Sequence, residues 1–175
     1  TGGRLEIVSL RDIGCNEDIA ETSDTLQGNA LQKARYVREH YGYDCFADDT
    51  GLMVDALGGE PGVYSARYAG EGHDSKANMA KLLKKMEGVE DRKARFVTVI
   101  ALIMDGEEHL FSGSVEGEIL KEPVGTGGFG YDPVFKPLES EAESFAVMTP
   151  DDKNAISHRG RATAALMKFL DEKIK

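Results

Sequence analysis

The strongest constraint in this chain is a pair of long strand-like runs on either side of Asp105-Gly106. Ala94 to Met104 is rich in Val, Ile and Thr, and a return strand is predicted over about His109 to Leu120. An Asp-Gly pair between two such runs signals a tight hairpin, because both turn residues must adopt positive φ. A hairpin alone is marginal in water and needs a larger sheet or covering helices. The sequence supplies helices. Thr25 to about His40 carries Leu26, Ala30, Ala34 and Val37 at helical spacing, with Ser23 or Asp24 available as a cap. Asp74 caps a second helix to about Met86, whose Met79, Leu82, Leu83 and Met86 form a core-facing stripe rather than a cofactor box. Thr149-Pro150-Asp151-Asp152 reads as N-cap, N1 proline and acidic first turn of a short helix. Ser157 caps a last helix with Ala162, Leu166, Phe169 and Leu170 inward. Further strands are predicted over Arg4 to Leu10, at Cys45-Phe46-Ala47, over Leu52 to Leu57 and at Asp132 to Phe135. Strands and helices alternate around one antiparallel hairpin, so the expected fold class is α/β, a single domain over residues 1–175 with a mixed, partly antiparallel sheet flanked by helices.

Composition bounds the function. The 175 residues suit one domain, and 41% apolar residues suffice for one core. With 21 Lys and Arg against 31 Asp and Glu, the net charge is −10, which argues against broad binding to nucleic acid or anionic membranes. A small anion, held by a few local cations, is still allowed. No apolar run approaches the roughly 18 residues of a membrane span, and Thr1-Gly2-Gly3-Arg4 lacks the pattern of a secretory signal. Cys15 and Cys45 form no CxxC pair, and soft ligands are too few for a structural zinc site. A cytoplasmic protein with free thiols is expected.

Four places could carry chemistry. Asp48-Asp49-Thr50-Gly51 reads as two carboxylates at a strand end before a glycine turn, suited to a hard cation or to a plain turn. Successive strand side chains point to opposite faces, so one carboxylate would face the site and the other solvent or an internal partner. Gly125-Thr126-Gly127-Gly128-Phe129-Gly130 matches G-x-G-x-x-G literally, but no helix opens after it, so a Rossmann reading fails. Its glycines still let a ligand approach backbone. Phe129 and Asp132 could stack on and hydrogen-bond to a base, or be a packed ring and a turn cap. Lys153 with Ser157-His158-Arg159 puts cations in the first turn of a helix, where they oppose its dipole. That misfit suggests anion binding, or Arg159 pairing with an acidic neighbour. Glu21 and Lys33 alone read as a surface acid and a solvated lysine. Carboxylates for Mg²⁺, scattered cations for phosphate and an aromatic loop for a base make an inventory for a nucleotide polyphosphate.

These motifs resemble the Ham1/RdgB/ITPase family of noncanonical purine nucleoside triphosphate pyrophosphatases. The matching segments are Ala47-Asp48-Asp49-Thr50-Gly51-Leu52, Leu57-Gly58-Gly59-Glu60-Pro61-Gly62-Val63-Tyr64-Ser65-Ala66-Arg67-Tyr68, Gly125 to Pro133, and Lys153-Asn154-Ala155-Ile156-Ser157-His158-Arg159, in order and at family spacing. Overall texture resembles the Bacteroidetes-type members. The resemblance implies an elongated ITPase-like, Maf-like domain, usually a homodimer, that hydrolyses ITP, dITP and XTP to the monophosphate and pyrophosphate with Mg²⁺. It implies Asp49 as proton acceptor and metal ligand, Glu21 as the other metal carboxylate, and Lys33 as a phosphate contact. Thr50, Phe129, Gly130, Tyr131, Asp132, Lys153, His158 and Arg159 fall at substrate-contacting positions. Family members begin with a strand, a Thr/Ser-x-Asn-x-x-Lys loop and a helix. This chain starts at Thr1-Gly2-Gly3. The expectation is that a βα unit of about 20 residues or more is missing, and that activity is weak without it. The alternatives are a Maf-like pyrimidine nucleotide pyrophosphatase, against which the Phe129 to Asp132 loop argues, and a nucleotide-binding domain without turnover.

Overall fold

The predicted hairpin is the centre of the sheet. In the computed structural model, which describes residues 3 and 5–174, β2 (Lys93–Met104) and β3 (Glu107–Ile119) pair antiparallel from Met104↔Glu107 to Lys93↔Glu118. They are joined by Asp105 (φ 53°) and Gly106 (φ 79°), the two positive-φ residues that a two-residue primed turn demands. β1 (Cys45–Val54) pairs with the other edge of β2, and the short β4 (Phe135–Pro137) with β3, giving the order β1-β2-β3-β4. Every pairing among the described residues is antiparallel, so the expected α/β domain is built on a four-stranded antiparallel sheet, with no parallel pair described in it.

β2 is buried on both faces, and its period of two sorts the core. Val97, Val99, Ala101 and Ile103 pack under α1 (Leu26–Tyr41), against Leu26, Ala30 and Ala34. Ile100 and Leu102 pack under α4 (His158–Lys173), against Ala162, Leu166 and Leu170. Further along that second face, Ala94 and Phe96 join Leu52, Val54, Val115, Phe135 and Phe145, covered by α2 (Ser75–Lys85) through Leu82. Two helices on opposite faces explain why β2 reads as a continuous apolar run while β3 alternates. α4 comes close to the sheet at Gly113: a Cβ there would lie 2.3 Å from the carbonyl oxygen of His158 and 2.5 Å from the nitrogen of Ala162. A short α3 (Pro150–Ile156) precedes α4 and is capped, as expected, by Thr149, while Ser157 caps α4 and Asp74 caps α2.

Four expectations are corrected. Residues 5–9 form no strand; Arg4 lies outside the described residues. Among the described residues no strand pairs with the segment, which instead lines an apolar hollow together with Val37, Phe46 and Leu170, with Ile7 61% exposed. The cap of α1 is Thr25, whose hydroxyl accepts from the Gly28 N–H, rather than Ser23 or Asp24. Cys45-Phe46-Ala47 and Leu52 onward are one strand, unbroken through Asp48-Asp49-Thr50-Gly51, followed by a 3-10 turn over Asp55–Leu57. The glycine lies in the ladder opposite Val97 instead of turning the chain. Asp132–Val134 is a 3-10 turn, because Pro133 has no N–H for a ladder, and strand begins only at Phe135. Both cysteines are free, and among the described residues no helix is long and apolar enough to cross a membrane.

Candidate active site

Because β1 runs straight through the acidic motif, its side chains alternate. Asp49, opposite Val99, faces α1; Asp48 and Thr50, opposite Ile100 and Thr98, face α4. The two adjacent carboxylates therefore stand on opposite sides of the sheet, as strand geometry requires.

On the α1 side, Lys33 Nζ lies 2.7 Å from Glu21 Oε1 and also donates to the Asp48 carbonyl oxygen. Asp49 sits beside this pair. Burial pushes its carboxyl above the usual carboxylate range; Lys33 draws it back and Glu21 adds to the rise. Asp49 Oδ2 is buried without a hydrogen-bond partner, and so is Asn29 Nδ2 beside it. Among the described residues no group of three or more His, Cys, Asp and Glu side chains converges as a ready metal cage. Two carboxylates with an unpartnered oxygen nevertheless fit a small hard cation, which fills its shell with water and phosphate oxygens.

On the α4 side, Thr50 Oγ1 and Thr98 Oγ1 are 2.8 Å apart, and an Arg159 guanidinium N–H reaches Thr50 Oγ1 at 3.4 Å. Arg159 also pairs with Asp48 Oδ2 at 3.2 Å, so the acidic-neighbour alternative is met in this structure. A cavity of about 320 Å³ opens here, lined by Thr50, Ser65, His73, Phe129, His158 and Arg159 among others. Its rim is the glycine loop. Asp132, 3% exposed, accepts from the Phe129 N–H at 3.1 Å and pairs with Lys153 Nζ at 2.5 Å. Lys153 Nζ sits 4.7 Å from the centroid of the Phe129 ring. Gly128 (φ 67°) makes this turn possible, since a Cβ there would lie 2.2 Å from Asp132 Oδ2. Asp132 is thus the turn cap, but Phe129 is not packed away: it is 69% exposed. Gly130 follows at φ 59°, and the Tyr131 hydroxyl donates to the Ser65 carbonyl oxygen at 2.6 Å, closing the floor.

His158 corrects the picture of two cations in the first turn of α4. It is buried, with its ring 4.7 Å from that of Phe96 and nearly parallel to it. Burial first, then Arg159 and Lys153, push its imidazole down to about 4, so it is neutral at pH 7. Its Nδ1 is buried with no hydrogen-bond partner. Of the two, only Arg159 carries charge.

The structure thus gathers Glu21, Lys33 and Asp49 on one side of β1, and Thr50, Phe129, Gly130, Tyr131, Asp132, Lys153, His158 and Arg159 on the other. Sequence reasoning missed Asn29, Thr98, Ser65 and His73. Asn29 had a signal, because a polar residue three places after Leu26 falls on the apolar stripe of α1. Thr98 had almost none, because a β-branched residue in a β-branched run reads as strand.

Comparison with known proteins identifies the family. A profile of the Ham1 family matches residues 2–169. The dITP/XTP pyrophosphatase of Christiangramia forsetii is 58% identical over 168 residues, 96% of this chain and 88% of that protein. That of Porphyromonas gingivalis is 58% identical over 169 residues, 96% of this chain and 87% of the relative. Among solved structures, the Staphylococcus aureus Ham1 protein superposes with a TM-score of 0.91 at 39% identity, covering 96% of this chain and 88% of its own. With the profile spanning nearly its whole length, the chain belongs to the Ham1 family.

Proposed function

We propose that this protein is a Mg²⁺-dependent pyrophosphatase that hydrolyses ITP, dITP and XTP to the nucleoside monophosphate and pyrophosphate. The observation that carries the proposal is Asp49, a buried carboxylate with an unpartnered oxygen beside Glu21 and Lys33, next in sequence to Thr50 at the nucleotide-sized cavity. The names of the relatives, dITP/XTP pyrophosphatase, support the substrate class.

In this reading Glu21 and Asp49 hold the metal. Bound there, Mg²⁺ supplies charge neutralisation at the phosphates and a lowered water pKa. Asp49 orients a water and takes its proton; the water oxygen bonds to the α-phosphorus, the bond to the bridging oxygen breaks, and pyrophosphate leaves with the electron pair. Lys33 stabilises the charge that develops on the leaving group. Phe129 stacks on the purine. Arg159 and Lys153 supply donors at the rim, which suit a 6-keto acceptor and leave adenine's 6-amino group unmatched. GTP also carries a 6-keto group, so its exclusion falls to the 2-amino position. The chain is further read as one catalytic domain, homodimeric and cytoplasmic, without nucleic-acid or membrane partners. Its charge of −10 and free cysteines support the last points, and the dimer rests on the family alone.

The test is pyrophosphate release from ITP, dITP, XTP, GTP and ATP, with Mg²⁺ and with EDTA. Metal-dependent release from the first three, well above GTP and ATP, is expected. Folded protein that binds ITP without releasing pyrophosphate would instead make it a nucleotide-binding domain.

A further inference from the structure

Glu21 is carried by a segment with no regular secondary structure, residues 14–25, yet it must stand in fixed relation to Asp49 on β1. The segment is held by side chains along one face of α1. Gln32 Oε1 accepts from the Thr22 N–H at 2.9 Å, and Gln32 Nε2 donates to Thr22 Oγ1 at 3.1 Å. The hydroxyls of Tyr36 and Tyr41 both donate to Glu17 Oε1, at 2.8 and 2.6 Å. Closest to the site, Asn29 Oδ1 accepts from the Ser23 N–H at 2.8 Å. The fit is tight there: a Cβ on Gly28 would lie 1.9 Å from Ser23 Oγ.

Asn29 differs from the other ties in having a second end. It is 1% exposed. A backbone N–H can only donate, so the amide oxygen must face Ser23, and the amide nitrogen is left for the other side. That side holds Asp49, whose anion the amide favours. Yet Asn29 Nδ2 and Asp49 Oδ2 each remain buried without a hydrogen-bond partner. An unmatched donor beside an unmatched acceptor is costly unless the pair closes or a ligand comes between them.

We infer that Asn29 is a positioning residue that sets Glu21 and Asp49 in register, its oxygen anchoring the Glu21 segment and its nitrogen steering the Asp49 carboxylate. The inference rests on the proposed pyrophosphatase reading for its kinetic arm, but its anchoring arm does not. Removing the amide frees Ser23 and unsettles Asp49 together, whereas Gln32 acts on the segment alone.

Three variants of the full chain test it: Asn29→Ala, Asn29→Asp and Gln32→Ala. The readouts are amide hydrogen exchange at Ser23, kcat and KM for ITP, and the Mg²⁺ concentration for half-maximal activity. Asn29→Asp keeps an acceptor for Ser23 but sets a carboxylate against Asp49. It is expected to keep Ser23 protected while kcat falls at least about tenfold and KM moves less than about threefold, a loss of about 1.4 kcal/mol or more in the transition state alone. Asn29→Ala should also lose the Ser23 protection and raise the half-saturating Mg²⁺. Gln32→Ala should cost less than either in kcat. Wild-type kcat and Mg²⁺ response in Asn29→Asp would overturn the steering role, and unchanged Ser23 exchange in Asn29→Ala would overturn the anchoring role. If Asn29→Ala does not fold, Asn29→Asp and Gln32→Ala still decide. Wild-type protein without ITP turnover would sink the pyrophosphatase reading instead, and the exchange arm would stand on its own.

Discussion

The two sides of β1 solve different problems with different materials. On the α1 side, acids and a lysine come from a strand, a helix and an irregular segment, with Lys33 and Glu21 paired and Asp49 Oδ2 unpartnered. On the α4 side most polar groups are satisfied, Asp132 by Lys153 and the Phe129 N–H and Thr50 by Thr98, with the buried His158 Nδ1 the exception. Buried polar groups are usually matched, and an unmatched carboxylate oxygen with a second carboxylate nearby suits a bound cation in a way that a neutral imidazole nitrogen does not. The proposed function places reaction on the α1 side and recognition on the α4 side.

That division can be broken experimentally. The largest effect is expected from Asp49→Asn. Turnover should fall about 10²- to 10⁴-fold with ITP affinity largely kept. Because burial holds the Asp49 pKa up, the anion is costly in the folded state, so the variant should also melt higher, by about 2–4 °C per 1 kcal/mol relieved. Lower affinity with unchanged turnover would place Asp49 in recognition. His158 comes next, and it reads stability rather than activity. Its pKa lies near 4 in the fold against 6.5 for an ordinary histidine. The unfolded chain therefore binds a proton first. The contribution is whole above pH 6.5 and is lost as pH falls toward 4, on the order of 3 kcal/mol. Denaturant unfolding at pH 7 and pH 4.5 should show a smaller pH difference in His158→Gln than in wild type; equal differences would mean that the buried ring is not the source. The smallest effect is Phe129→Ala, where lost stacking of about 1–3 kcal/mol should raise KM for ITP roughly 5- to 150-fold with kcat nearly kept. A fall in kcat alone would show that recognition and reaction are not separate.

Much of this arrangement is legible in the residues, and the failures share a cause. The Asp-Gly hairpin, the caps Asp74, Thr149 and Ser157, and the rule that Asp48 and Asp49 cannot share a face all follow from local stereochemistry. The acidic motif read as a turn because Asp-Asp-Thr-Gly is turn-like in isolation; ten consecutive pairings with β2 override that preference. Arg4 to Leu10 read as strand because its pattern fits one, but a pattern does not supply the neighbour that a ladder needs, and the described residues 5–10 pair with no strand. His158 and Arg159 looked alike as cations, and only the aromatic packing around His158 separates them.

The alternation along β1 also gives the strand a parity. A substitution there weakens one side of the site by degrees. Insertion or loss of a single residue ahead of Asp48 would instead exchange the sides, turning Asp49 toward the cavity and Thr50 toward Lys33. A change of two residues would restore every orientation and merely slide the motif about 7 Å along the sheet. Length variation in β1 should therefore be tolerated, if at all, only in even steps, whatever residues fill them.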